Sequence, residues 1–387
     1  MTKLEHLYAY FGQSPWLDNL TRAYLRDGTL TRLVGNGIRG VTANPTIFAR
    51  SILGSDDYDE QFSALMSAGT SVDEAYWELL MSDVGEALTV LRPVFDAGDC
   101  VDGFVSVEVS PELAHDAAGT IDAARWLRRR LAQPNLLIKI PATAEGVTAV
   151  ETLTGEGSSV NVTLLFSLSR YAEIIEAYLS GLEKFTANGG DPSTVSSVAS
   201  FFVSRVDTEV DHRLEALGTD EALALRGQAA VAQAKLAYRS FTEQFSSRRW
   251  HHLADLGADI QRPLWASTST KNPGDRDTRY VEELIGPDTV TTLPEATIAA
   301  FEDHGRTART VDHGLSQAAE IMERLAAVGI DMTAVGRTLE ENGMASFEKA
   351  YQDVLAKLTE MKAAQRRTAQ RRTAQRRTAP RRRRADR

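Results

Sequence analysis

The stretch Gly103-Phe-Val-Ser-Val-Glu-Val-Ser110 predicts a β-strand whose two faces differ in polarity. Because successive side chains of a strand point to opposite faces, its three valines share one face, and its serines share the other with Glu108. A barrel of parallel strands inside a ring of helices presents apolar side chains outwards and can hold polar ones inside. An open, doubly wound sheet buries both faces more uniformly and would not produce such stripes. The stretch therefore favours a barrel.

Two further stretches alternate in the same way, namely Gly40-Val-Thr-Ala-Asn44 and Ser159-Val-Asn-Val-Thr-Leu-Leu165. In all, strand-like segments recur between helical patterns at eight places: 16–19, 40–44, 103–109, 136–141, 159–165, 196–203, 263–267 and 290–293. Strands that alternate with helices indicate a parallel sheet with right-handed crossovers, and eight of them close a (β/α)8 barrel. We therefore predict an α/β protein with one (β/α)8 (TIM) barrel over residues 1–364.

Two long segments without strand patterns predict extra helices outside the barrel. Residues 207–261 are rich in alanine and in charge, and residues 311–361 look helical with interruptions at Gly329 and Gly343. We expect both segments to decorate the barrel rather than to form a second domain.

The composition is that of a soluble globular chain, since 43% of its 387 residues are hydrophobic and 25% are charged. With one cysteine, Cys100, no intramolecular disulfide can form, which fits a reducing cytoplasm. The N-terminus lacks an apolar core of signal-peptide length, and no apolar run approaches the ~18 residues that span a membrane. We predict a cytoplasmic protein without a membrane segment; the oligomeric state stays open, with a homodimer as one option.

The segment from residue 365 to residue 387 differs in composition from the rest of the chain. It repeats Gln-Arg-Arg-Thr-Ala three times before Pro380 and four further arginines. Its eleven arginines and one aspartate give it a net charge of +10. Since the whole chain has a net charge of −10, residues 1–364 have a net charge of −20. A basic, repetitive segment with few apolar residues is predicted to be disordered. It suits an arm that weakly binds nucleic acid or an acidic partner. The alternative, which we favour, is a replication-slippage extension without a selected role, or one that merely lies against the acidic body.

One lysine lies in the middle of a strand that is otherwise apolar, Asn135-Leu-Leu-Ile-Lys-Ile-Pro141. A buried ammonium is costly, and the neutral amine that relieves this cost is a nucleophile that forms Schiff bases with carbonyl substrates. Lys139 therefore suggests carbonyl chemistry. The alternative is a lysine at a strand end whose amine reaches solvent.

If the polar strand faces converge on a barrel interior, Lys139 shares it with Glu108 and Asp18. A Schiff-base mechanism needs an amine, a proton shuttle for dehydration of the carbinolamine, and a base for the hydroxyl whose proton leaves during carbon–carbon cleavage. A lysine with two carboxylates supplies these groups. Asp18 could instead cap a helix, and Glu108 could be a purely structural ion-pair partner.

Signatures of cofactor and metal sites are missing from the sequence. It has no Gly-x-Gly-x-x-Gly after a strand, no Walker-type Gly-Lys-Ser/Thr and no His-Glu-x-x-His. His251 and His252 are adjacent and would point apart. We predict an enzyme that uses neither a cofactor nor a metal.

Two motifs resemble the signatures of the transaldolase family. Gly40-Val-Thr-Ala-Asn-Pro-Thr-Ile-Phe48 resembles the first, and Leu137-Ile-Lys-Ile-Pro-Ala-Thr-Ala-Glu-Gly-Val147 resembles the second, which surrounds the Schiff-base lysine. The resemblance covers nearly all of residues 14–361 and is to the longer bacterial members. It implies that Lys139 forms the Schiff base with dihydroxyacetone, that Glu108 acts through a water as acid and base, and that Thr163 positions this water. It further implies that Asp18 takes the C4 hydroxyl proton.

The resemblance also implies a set of substrate-binding residues. Asn44 and Asn161 are similar to the asparagines that hold substrate hydroxyls. In Ser200-Phe-Phe-Val-Ser-Arg205, the resemblance implies roles for Ser200, Phe202 and a phosphate-binding Arg205. Where well-known members have a second phosphate-binding arginine, this chain has Lys271, which would act as a point charge or be a solvated loop lysine.

Three functions are therefore weighed. The first is transaldolase, which exchanges sedoheptulose 7-phosphate and glyceraldehyde 3-phosphate with erythrose 4-phosphate and fructose 6-phosphate in the non-oxidative pentose phosphate pathway. The second is fructose 6-phosphate aldolase, whose members are much shorter and replace the acid/base carboxylates. The third is a nucleic-acid-binding protein that acts through the arginine-rich segment, although a body of charge −20 repels polyanions. The complete set of site residues favours the first.

Overall fold

Eight parallel strands close into a barrel in chain order, as the polar and apolar stripes predicted. The structure, a computed structural model, describes the backbone of residues 1–378 and, beyond residue 365, the side chain of Arg367 alone. The strands are β1 Gln13–Leu17, β2 Gly40–Thr42, β3 Phe104–Glu108, β4 Leu136–Pro141, β5 Val160–Leu165, β6 Ser197–Phe202, β7 Gln261–Ala266 and β8 Thr289–Leu293.

Helices surround the barrel and extend beyond it. They are α1 Lys3–Phe11, α2 Arg22–Arg26, α3 Thr29–Gly35, α4 Pro45–Gly54, α5 Asp59–Ser67, α6 Val72–Ala97, α7 Ala117–Leu131, α8 Ala144–Thr154, α9 Leu168–Ala187, α10 Ser204–Leu217, α11 Asp220–Leu223, α12 Ala229–Gln244, α13 Arg248–Asp255, α14 Arg279–Glu282, α15 Glu295–His304, α16 Leu315–Ala327 and α17 Met332–Thr378. In the described part of the chain, none is long and apolar enough to cross a membrane.

β1 spans Gln13–Leu17 rather than the predicted residues 16–19, and it includes Pro15, a residue that is uncommon inside a sheet because it cannot donate a ladder hydrogen bond. β1 pairs along its whole length with β8, from Gln13 opposite Thr289 onwards, whereas its register with β2 is limited to Leu17 opposite Val41. The first strand therefore has its longer pairing with the last strand, and its pairing with the second is short.

A buried carboxylate closes the N-terminal end of the barrel. Asp102 accepts hydrogen bonds from Ser14 Oγ at 2.7 Å and Trp16 Nε1 at 3.0 Å. It also pairs with Arg39 at 2.8 Å and with Arg262 at 3.1 Å. Burial alone would raise the pKa of Asp102, but the two guanidinium groups hold it below its usual value. This end of the barrel is filled by a satisfied polar cluster, which leaves the opposite end for a site.

The long helix α17 crosses that opposite end, and two glycines on one of its faces allow the approach. A Cβ at Gly343 would lie 2.9 Å from Leu164 Cδ2, and one at Gly336 would lie 3.1 Å from Ser167 Cβ. Leu164 has a φ of 59° at a register shift in β5, a bulge that turns the strand just after Thr163. The prediction of a break at Gly343 is therefore wrong: Gly343 lies inside α17 as a contact point, and the break is at Gly329, whose φ is 94°.

The basic segment predicted to be disordered begins inside α17. The backbone is helical from residue 365 to Thr378, and residues 379–387 lie outside the described residues. Ala, Arg and Gln, which make up most of the repeat, favour helix. Disorder of this segment stays a prediction. Gln365 Nε2 donates to Ser63 Oγ on α5 at 2.6 Å, so α17 is still in contact with the body there.

Candidate active site

A cavity of about 470 Å³ opens at the C-terminal end of the strands. Eight of the ten predicted site residues line it: Asp18, Asn44, Lys139, Thr163, Ser200, Phe202, Arg205 and Lys271. They come from the ends of different strands or from the segments just after them, as the polar faces required. A larger hollow of about 680 Å³ lies outside the barrel beside Trp77 and Trp126, but the described residues around it include no lysine.

Lys139 and Glu108 form a buried ion pair at the base of this cavity. The two residues are opposite each other in the β3–β4 register, and Lys139 Nζ lies 3.3 Å from Glu108 Oε2. Lys139 is 4% exposed and Glu108 is 6% exposed. Burial raises the pKa of Glu108, and the charge of Lys139 opposes this rise. Glu108 is thus closer to a protonated acid at neutral pH than an ordinary glutamate.

The ion pair and Thr163 leave buried oxygen atoms without hydrogen bonds. Glu108 Oε1 and Thr163 Oγ1 have no hydrogen-bond partner among the described residues, whereas Glu108 Oε2 lies 3.3 Å from Lys139 Nζ. Buried polar atoms usually find partners, because leaving one without costs about 1–3 kcal/mol. These atoms are available to a water or a substrate oxygen next to the Lys139 amine.

Asn161 lies one layer below the cavity lining. Its side-chain Nδ2 donates to Ser106 Oγ at 2.9 Å, and its side-chain Oδ1 accepts from Ser200 Oγ at 2.7 Å. Asn161 is fully buried and does not line the cavity, whereas Ser200 does. The geometry makes Asn161 a support for Ser200; a direct substrate contact by Asn161 stays a prediction.

Asp18 and Asn44 lie at the rim, at the ends of β1 and β2. Thr42 Oγ1, which the sequence reasoning did not select, donates to Asp18 Oδ1 at 3.1 Å. Asn44 is the N-cap of α4, and its side-chain Oδ1 accepts from the Ile47 amide at 3.0 Å. Because that oxygen is occupied, Asn44 can offer a substrate the N–H groups of its side chain.

The other side of the cavity is basic. Arg205 lies in the first turn of α10, its guanidinium carbon 5.0 Å from the centre of the Phe202 ring, and burial lowers its pKa. Lys271 Nζ donates to Ser269 Oγ at 2.8 Å. Partial burial lowers the pKa of Lys271, and the charge of Arg205 lowers it further. A bound anion would oppose the lowering of the pKa of both Arg205 and Lys271. The positively polarised N-terminus of α10 would further stabilise that anion.

Comparison with known proteins identifies the family. The model of the transaldolase/fructose-6-phosphate aldolase family matches residues 15–358. This chain belongs to that family. It is 48% identical to a transaldolase of Thermobifida fusca over 91% of this chain and 96% of the relative. It is also 49% identical to a transaldolase of Mycolicibacterium smegmatis (89% and 93%) and 48% identical to transaldolase 1 of Streptomyces coelicolor (90% and 92%).

The transaldolase-family cavity also contains residues that the sequence reasoning missed. Arg50 comes from α4, Ser267 and Ser269 follow β7, and Ser346 and Phe347 come from α17. Strand parity could not identify residues on helices and loops. Arg50 does, however, follow the first signature motif within two residues, so its position was a signal. Among the described residues, no cluster of three or more His, Cys, Asp or Glu side chains is arranged to hold a metal ion.

Proposed function

We propose that this chain is a transaldolase that moves a dihydroxyacetone unit from sedoheptulose 7-phosphate to glyceraldehyde 3-phosphate. The products are erythrose 4-phosphate and fructose 6-phosphate, as in the non-oxidative pentose phosphate pathway. The observation that carries the proposal is the buried Lys139–Glu108 pair, 3.3 Å apart at the base of a polar barrel cavity. The names of the relatives give the same activity.

The first half of the reaction uses the atoms around Lys139. The Lys139 amine attacks the ketose carbonyl carbon, and the carbinolamine loses its hydroxyl as water when Glu108, through a water held by Thr163, supplies a proton. Asp18 then removes the proton of the C4 hydroxyl. The C3–C4 bond breaks, its electron pair moves towards the iminium nitrogen, and the aldose leaves while the enamine stays on Lys139.

The second half reverses these steps with a new acceptor. The enamine carbon attacks the acceptor aldehyde, and Asp18 returns its proton to the new hydroxyl. Water then hydrolyses the iminium and frees Lys139. Asn44 and Ser200 hold the hydroxyls of the sugar, and Arg205 and Lys271 bind its phosphate, which supports sugar phosphates as the substrates.

The test is covalent trapping. Borohydride added with fructose 6-phosphate should reduce the iminium and leave a stable adduct on Lys139, which peptide mass spectrometry would locate. The Lys139→Met variant should give no adduct. A folded wild-type protein that is not labelled would contradict the Schiff-base mechanism.

A coupled assay separates the transferase from an aldolase of the same family. With fructose 6-phosphate as donor, we expect turnover only when erythrose 4-phosphate is supplied as acceptor. Full turnover without the acceptor would instead indicate an aldolase that releases free dihydroxyacetone.

We further propose that the enzyme works in the cytoplasm, which its single, exposed cysteine suits.

A further inference from the structure

Arg50 lines the same cavity as Arg205 and Lys271 and has no partner among the described residues. It belongs to α4, which begins directly after β2 and is capped by Asn44. The residue is exposed and forms no ion pair or hydrogen bond with any described residue. By contrast, Arg26 on the neighbouring α2 is paired with Asp57 at 3.0 Å.

The face of α4 that carries Arg50 is turned towards the cavity. Thr46, one turn earlier on the same face, lines the cavity as well. Its Oγ1 is buried and has no hydrogen-bond partner among the described residues. Two donors on one helical face, both without protein partners, are thus presented to the same space.

The charges of the cavity leave room for a third cation. Lys139 is neutralised by Glu108, and Asp18 offsets one of the two positive charges of Arg205 and Lys271. A sugar phosphate carries a charge of about −1.5 to −2 at pH 7. With Arg50 included, the net positive charge of these cavity side chains is close to the negative charge of a sugar phosphate. The charge of Arg50 also contributes to lowering the pKa of Lys271, so the two cations are close enough to interact.

We propose that Arg50 is a further substrate-binding residue, whose guanidinium binds the phosphate group together with Arg205 and Lys271 and selects phosphorylated over unphosphorylated substrates. This assignment rests on the proposed transaldolase function. The guanidinium fork matches two phosphate oxygens, so Arg50 supplies the bidentate contact that Lys271 cannot make.

The experiment compares ligands with and without a phosphate in the borohydride trapping assay. The concentrations of fructose 6-phosphate and of dihydroxyacetone that give half-maximal labelling would be measured for wild type, Arg50→Gln and Arg50→Lys. The matched control is Arg324→Gln, because Arg324 is exposed on α16 and lies outside the cavity lining. Binding of inorganic phosphate to the same four proteins would be measured by calorimetry.

For Arg50→Gln, we expect the half-maximal concentration of fructose 6-phosphate to rise about tenfold to a hundredfold, the usual effect of losing a charge-assisted hydrogen bond. The value for dihydroxyacetone should stay within twofold, Arg50→Lys should recover part of the loss, and Arg324→Gln should match wild type. Equal losses with both ligands, or no loss with fructose 6-phosphate, would overturn the assignment.

The phosphate titration keeps this inference separate from the chemistry. If wild type gives no borohydride adduct, the proposed function fails. Weaker binding of inorganic phosphate to Arg50→Gln than to Arg324→Gln would still support Arg50 as a phosphate ligand, and equal binding would overturn it.

Discussion

At the scale of single residues, the Lys139–Glu108 pair makes a prediction about proton transfer. Glu108→Gln keeps the size of the side chain but removes its proton exchange, so we expect labelling by borohydride and fructose 6-phosphate to slow about a hundredfold or more. Single-turnover labelling rates would measure this. Glu112→Gln is the control, because Glu112 is exposed on the turn after β3. An unchanged rate in Glu108→Gln would remove Glu108 from the mechanism.

The sequence predicted which residues meet at the cavity far better than it predicted their contacts. Lys139, Glu108 and Thr163 could be placed together because strand parity and register follow from alternation. That the Asn161 side chain binds Ser106 and Ser200 depends on distances across the barrel, which a pattern does not contain. For the same reason, the Asn44 N-cap contact to Ile47 was not predicted.

At the scale of elements, the contact between α17 and β5 limits the size of residue 343. Gly343→Val would force α17 away from Leu164, and we expect it to destabilise the fold by about 1–3 kcal/mol and to weaken fructose 6-phosphate binding, since Phe347 follows on the same helix. Urea unfolding and the Michaelis constant would measure the two effects.

A glycine in an open helix position provides the contrast. Gly85 lies inside α6, and a Cβ there would meet nothing within 4 Å. Gly85→Ala should stabilise the protein by up to about 1 kcal/mol through helix propensity alone. If Gly343→Val were equally harmless, α17 would not be held by this contact.

Asp207 at the start of α10 makes stability depend on pH. Its carboxylate accepts from the Ala230 amide at 2.7 Å and from the Tyr280 hydroxyl at 2.8 Å, yet burial raises its pKa to about 6. Since the unfolded value is about 3.9, the protonated form stabilises the fold below about pH 4, and this contribution is lost as the pH rises through 6.

Asp207→Asn removes this titration and can keep both hydrogen bonds. Between pH 4 and pH 7, the free energy of unfolding of wild type should therefore fall by roughly 2 kcal/mol more than that of the variant. Urea unfolding at both values, with Asp220→Asn as an exposed control, measures the difference. Parallel pH curves for wild type and Asp207→Asn would contradict the raised pKa.

At the scale of the whole molecule, the catalytic body and the arginine-rich segment are proposed to be separate units. A chain that ends at residue 364 keeps the helix face of α17 that carries Ser346 and Phe347. We expect its turnover to stay within twofold of the full chain. Any salt-sensitive binding to nucleic acid should vanish with the eleven arginines. A large loss of turnover would mean that the segment supports the catalytic site.

The overall architecture was the part most fully specified by the sequence. Alternation along strands such as β3 and β5 distinguishes a closed barrel from an open sheet, because the two bury their faces differently. Alternation along strands does not predict features on helices. The place of Arg50 on α4 and the path of α17 depend on how loops orient whole elements.

The pairing of β1 with β8 has a consequence for folding while the chain is being synthesised. β1 leaves the ribosome early, but the strand that borders it along its whole length is made only near residue 289. Until then β1 has an open edge, and any chain that stops short of β8 exposes an edge on which other chains can pair. Asp18 directly follows β1, and its backbone amide donates to the Leu293 carbonyl at 3.0 Å, so we expect Asp18 to reach its place in the site only once β8 has been made.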